Sequence, residues 1–208
     1  MDIKDNLKYS FYVIFHPFDG FWVLKREKKV NNITVVIILA SMIILLGLKQ
    51  QFTGFIINYS INSPFNMLFQ IETVLIPFFL WCISNWSITT LVDGEGTFKD
   101  IVVTTSYSLI PIILFNFPLI LVSRFINLEE SQMYNLLLSI SLVWSGFLLL
   151  TGIMTIHQFS MKKTILTIAI AIVGMVIIAF LILLFFGLIS QVYNWGYLIY
   201  REITLRSS

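Results

Sequence analysis

Charge is what this chain has least of. Only 12% of its 208 residues are charged, while 58% are hydrophobic; soluble domains carry about 25% charged residues. A water-soluble core cannot absorb that much Ile, Leu and Phe, so the composition points to an integral membrane protein. The net charge of +2 is too small to track a phosphate backbone, and no nucleic-acid partner is expected. Cysteine is almost absent. Cys82 stands alone, which excludes a disulfide framework and any cysteine-based metal motif. Histidine occurs twice, as His16 and His157, and neither sits in an H-E-x-x-H spacing. The N-terminal segment carries charges throughout and has no short apolar core before a small-residue cleavage site, so no signal peptide is expected. There is no low-complexity stretch or linker, which leaves room for one domain.

Long apolar runs are plentiful. A spanning helix needs about 20 mostly apolar residues. Five runs qualify, at residues 33–48, 66–92, 101–125, 133–156 and 164–190. The expected fold is therefore all-α: a membrane bundle of five transmembrane helices over 33–208, preceded by a partly amphipathic interfacial segment, 1–32. With the N-terminus inside, nine Lys and Arg fall on the cytoplasmic side and four on the other. The positive-inside rule then puts the N-terminus in the cytoplasm of a cell-membrane protein and, after five spans, the C-terminus outside. Near that end Tyr193, Trp195, Tyr197 and Tyr200 suit an interfacial aromatic belt.

The tail reads YSFYVIFHPFDGFWVLKREKK. Pro17 can open a helix, since its missing N–H is not needed in the first turn. Phe18, Phe21, Trp22 and Lys25 then recur at helical spacing. With Arg26, Lys28 and Lys29 they make lipid-interface candidates: rings among headgroups, cations toward anionic lipid. The plainer reading packs the segment on the span ends and leaves the lysines to set topology. Gly20 is expected to bend the helix.

LVDGEGTFKDI (91–101) concentrates Asp93, Glu95 and Asp100 between two apolar runs. The calcium loop D-x-[DN]-x-[DN]-G-x₅-E fails, because Gly96 falls at its fourth position and Thr104 at its twelfth. A phosphate loop fails too, for want of the G-K-[ST] ending. The spacing suits a turn and a cap. Gly94 and Gly96 permit positive φ, and Thr97 can cap the next helix with Asp100 completing a capping box. Asp93 or Glu95 is expected to pair with Lys25, Arg26 or Lys28 and pin the tail. Asp93, Gly94, Glu95, Gly96 and Asp100 are thus partner-contact candidates. A composite metal site with His16, Asp19 and His157 is the sharper alternative; no metal, cofactor or catalytic residue is expected.

Within the spans the polar candidates are Glu72, Asn85 and Asn116. An acid inside the membrane is a functional candidate by default, but a helix begun by Ser63 as cap and Pro64 places Glu72 near the outer boundary. SNWSITT (84–90) and TTSYS (104–108) are expected to hydrogen-bond to each other. Ser141, Ser145, Gly146 and Gly152 form a small-residue face. Pro77, Pro111 and Pro118 read as kinks, which membranes tolerate.

HPFDGFW (16–22), IPFFLWCISNW (76–86), LVDGEGTFKDI (91–101), SYSLIP (106–111) and WSGF (144–147) followed by HQFS (157–160) together resemble the YIP family, the Yip-one-domain proteins named for interaction with Ypt/Rab GTPases. The resemblance is nearest to the prokaryotic branch and covers nearly the whole chain. It implies a polytopic, non-catalytic protein of membrane organisation. Eukaryotic members use a long cytoplasmic N-terminal region, whereas the segment ahead of the first span here is 1–32 and reads as mostly interfacial, and the Ile/Asn/Lys-rich composition points to a low-GC bacterium. The expectation is a non-enzymatic scaffold or accessory protein. Its expected partners are membrane lipids and a membrane protein, a transport system or a second copy. The alternatives are a subunit of a transporter or channel, and a metal-dependent membrane enzyme built on Asp93, Glu95 and His157.

Overall fold

The apolar runs form five helices long enough to cross a bilayer. The computed structural model describes residues 3–27, 32–58 and 64–206, whose regular structure is all helical. Two short helices come first, α1 (Ile3–Phe15) and α2 (Pro17–Glu27). The spans follow: α3 (Asn32–Phe52), α4 (Met67–Leu91), a broken span of α5 (Phe98–Ser108) and α6 (Ile110–Val122), α7 (Ser131–His157) and α8 (Met161–Arg206).

Local chemistry sets the ends. Pro17 does open α2. The helix continues through Gly20, and Gly20 is where α1 and α2 touch: a Cβ there would lie 3.0 Å from Val13 Cγ2. The bend falls instead at His16, whose ring stacks on Tyr12 at 4.8 Å. Helix α4 starts later than Pro64. Asn66 caps it, accepting from the amides of Leu68 and Phe69, and an Asn side chain that takes two orphan donors makes a firm start. Ser63 lies outside the described residues.

The third span is not one helix. Leu109 N–H bonds back to Ser106 O at 3.1 Å, a tightened turn. Pro111 has no N–H to return to Tyr107. Ser145 Oγ of α7 then donates to the Ser108 carbonyl at 2.6 Å. Pro77 and Pro118 lie inside continuous helices, so only Pro111 marks a break.

α5 is the hub of the core. Ile101, Thr104, Ser106 and Tyr107 are buried in it, with α1, α3, α4 and α7 around them. The α1–α2 hairpin joins this core through Val13, Ile14, Phe21 and Leu24, all buried, with α2 packed on α7. Gly152 of α7 makes the close crossing: a Cβ would strike the Thr104 methyl and come 3.2 Å from the Phe21 ring. Gly146 faces open space and is not part of that small-residue face. The hydroxyls of α4 and α5 mostly turn back on their own helices, as Thr89 does to Asn85 O and Ser106 to Val102 O, both at 2.8 Å. A hydroxyl reaches its own preceding turn without help from a neighbour. Trp81 Nε1 crosses from α4 to Thr105 Oγ1 at 3.2 Å.

α8 pairs with α4. Ser84 Oγ donates to Ala171 O at 2.6 Å, and Gly174 lies against Ser84. With 46 residues it is about 69 Å long at 1.5 Å per residue, far past the expected end at residue 190. Residues 181–200 are all exposed. At the end of the bundle away from loop 92–97, Gly54 N–H donates to Ser123 Oγ at 2.9 Å and Arg124 Nε to Phe52 O at 3.2 Å.

Candidate functional site

The loop between α4 and α5 is the densest polar junction described. Asp93 turns the chain with φ of 55°. The residue in the left-handed region is thus Asp93, not Gly94 or Gly96, and Asp tolerates that region through its short polar side chain. The glycines serve a close approach. A Cβ on Gly94 would collide with His157 Nδ1, and one on Gly96 would lie 2.8 Å from His157 Cε1. Gly94 N–H bonds Thr89 O at 2.8 Å. Gly96 N–H donates to His157 Nδ1 at 3.2 Å. An Nδ1 that accepts leaves the proton of the neutral ring on Nε2. That atom is buried and has no partner.

His157 ends α7, where Gln158 takes a left-handed φ of 56°. The turn stacks Phe159 on the imidazole at 5.3 Å between centroids. Lys163 of α8 sits 4.1 Å above the Phe159 ring and donates to Val92 O at 2.8 Å. Three spans therefore meet on one loop. Its exit is the expected capping box: Asp100 N–H donates to Thr97 Oγ1 at 3.3 Å, and Thr97 N–H to Asp100 Oδ2 at 2.9 Å.

The N-terminal hairpin docks on the same loop. Lys25 Nζ and Glu95 Oε2 are 2.8 Å apart, the pairing of tail and loop that the charges call for. Lys25 donates to Glu95 and adds its charge, and both hold that carboxyl below its ordinary value. Asp93 is exposed and outside this bridge. Phe21 is 0% exposed, against 50% for Phe18 and 38% for Trp22. It is thus a core contact and not a lipid-interface residue, because its face of α2 turns onto Gly152 and Thr104. Arg26 lies over the Trp22 ring at 4.3 Å. Lys28 and Lys29 lie outside the described residues. Tyr9 donates to Gly20 O at 2.9 Å; burial, then the nearby Tyr12, Tyr107 and Asp19, pushes its pKa up to about 12, so it remains a donor.

Other candidates stay apart. Glu72 is exposed on the second turn of α4. Asn85 is 0% exposed, with neither amide atom partnered. Asn116 Nδ2 donates to Ile112 O at 2.8 Å. No cluster of three or more His, Cys, Asp or Glu that could hold a metal occurs among the described residues. Two cavities flank the docked α2. One of about 420 Å³ is lined by Phe18, Asp19, Trp22 and Gln158, and one of about 210 Å³ by Lys25, Thr97, Lys99 and Asp100. None of Glu72, Asn85 and Asn116 lines either. The composite alternative brought His157 to this loop as a ligand; what the sequence reading missed is its packing against Gly94 and Gly96, for which the pair of glycines two residues apart was the available signal.

Five bilayer-length spans, the third polar and broken, define a polytopic integral membrane protein. The model of one family, the Yip1 domain, matches residues 11–184. The chain belongs to that family, the YIP family, whose members are generally non-enzymatic membrane proteins. The match takes in α2 and the loop it docks on, and it ends inside α8. No curated protein and no solved structure matches the chain.

Proposed function

We propose that this protein is a non-catalytic scaffold or accessory protein of the cell membrane. Its N-terminal hairpin lies on the cytoplasmic side and its C-terminus outside, and it acts through contacts with lipid and with another membrane protein. The observation that carries the reading is the docked hairpin. Phe21 holds α2 on α7 and Lys25 holds it to the loop, while Phe18, Trp22 and Arg26 remain on its outer side. Aromatic rings beside a guanidinium suit the headgroup layer. The excess of Lys and Arg on the hairpin side supports its cytoplasmic placement. The partner is a transport system or a second copy of the chain, and the sequence character favours a prokaryotic member of the family.

Affinity purification in mild detergent, followed by identification of what co-purifies, tests this reading. A stoichiometric membrane-protein partner or a homo-oligomer is expected. A clean monomer without partner or bound lipid would overturn it. A tag at Ser208 reached only from the cytoplasm would overturn the topology.

A further inference from the structure

At the end of the bundle opposite the hairpin, a cavity of about 770 Å³ opens between the last turn of α3 and the first turns of α4 and α7. Its size is that of a small-ligand site. The polar lining includes Lys49, Gln50, Asn66, Gln70, Tyr134 and Asn135. Among the described residues no carboxylate lines the cavity and none pairs with Lys49. Residues 59–63, between Asn58 and Pro64, carry no charged side chain either.

Several acceptors at this end are already engaged. Thr53 Oγ1 takes the Lys49 carbonyl and Asn58 Nδ2 that of Gln50. Asn66 Oδ1 is spent on the amides of Leu68 and Phe69, and Gln50 Oε1 accepts from Gln70 Nε2. Donors remain: the Lys49 ammonium, and the hydroxyl of Tyr134, which is 2% exposed and without a partner. α4 and α7 point their positive N-terminal ends here and α3 its negative C-terminal end, so the balance of helix ends still favours an anion.

Depth narrows the ligand further. Lys49 lies in the last turn of one span, Asn66 caps the next, and Tyr134 belongs to the first turn of a third. Span ends lie where lipid phosphates lie. The lining also carries Leu46, Phe69 and Leu138, surfaces for an acyl chain. We infer that this cavity binds a phosphate-bearing anion, the chemistry shared by an anionic lipid headgroup and free phosphate, with Lys49 as its charge partner.

The test is thermal unfolding of the full-length protein in detergent, titrated with dioctanoyl phosphatidylglycerol, dioctanoylglycerol or inorganic phosphate. The phosphatidylglycerol should raise the melting temperature saturably and the uncharged dioctanoylglycerol should not. Lys49→Gln should weaken the effect about tenfold or more, as loss of a charge-assisted hydrogen bond implies. Lys49→Arg should retain it, as should Arg201→Gln on the exposed part of α8. An equal shift from inorganic phosphate alone would support the anion site and assign it to the free ion. The inference is overturned by no shift with any probe, by an equal shift with dioctanoylglycerol, or by an unchanged shift in a folded Lys49→Gln protein.

Discussion

Replacing Phe21 with alanine should release the N-terminal hairpin while the five spans stay folded. The ring is fully buried where α2, α5 and α7 meet, against Gly152 and Thr104. Truncating a buried Phe to Ala costs about 3–5 kcal/mol. At 1.4 kcal/mol per tenfold, the undocked fraction should rise between about a hundredfold and a few thousandfold. An undocked ring in the headgroup layer escapes part of the transfer loss, so the lower figure is the safer expectation. Trypsin can read the change. Lys25 and Arg26 lie on the docked helix, and cleavage follows the open population when opening is fast relative to cutting. The assay is the cleavage rate at these two bonds in lipid nanodiscs, with the melting of the bundle followed in parallel. A rate within twofold of the parent protein would refute the claim that Phe21 anchors the hairpin.

Three further outcomes are expected. Glu95 is held below its ordinary value of 4.5, first by the hydrogen bond from Lys25 and then by its charge; a lowered carboxyl pKa stabilises above the ordinary value and loses that contribution as pH falls through the lowered one. Hydrogen exchange of residues 17–26, corrected for intrinsic rate, should therefore be flat from neutral pH to about 5 and accelerate below about 4.5, while Glu95→Gln should lack that step. Gly96→Ala drives a methyl onto the His157 ring and should destabilise the protein by about 1–3 kcal/mol in chemical unfolding; a neutral result would show that His157 can move. Thr97→Ala removes the cap of α5 and should cost about 1 kcal/mol by the same measurement.

Much of the fold was legible because a bilayer imposes simple rules on sequence. Twenty apolar residues in a row leave few alternatives to a spanning helix. Thr97 and Asp100, three residues apart, read directly as a cap, since that interaction is local. The same holds for Pro17 at the start of α2. What was not legible depends on which neighbour arrives. Gly94 and Gly96 looked like turn glycines, yet the turn is made at Asp93 and the glycines admit the His157 ring. Phe21 has the same helical spacing as Phe18 and Trp22, and periodicity alone could not assign it to α7 rather than to lipid. The break at Leu109 was marked by Pro111, but Pro77 and Pro118 carry the same mark in continuous helices. The donor-rich cavity at the far end joins residues from three spans, each ordinary in its own run.

One consequence follows from how α8 is held. Lys163 fixes its start to the carbonyl of Val92, and Ser84 of α4 holds its third turn at the Ala171 carbonyl. The helix is about 69 Å long at 1.5 Å per residue, while the hydrocarbon slab is about 30 Å thick. Because one end is anchored, any change in bilayer thickness must be absorbed at the other. A thicker membrane would submerge residues beyond Leu181, and a thinner one would release them, without shifting a contact in the bundle. The free part of α8 thus grades from Leu and Phe to Tyr, Trp and Arg like a dipstick read against the membrane surface at that end.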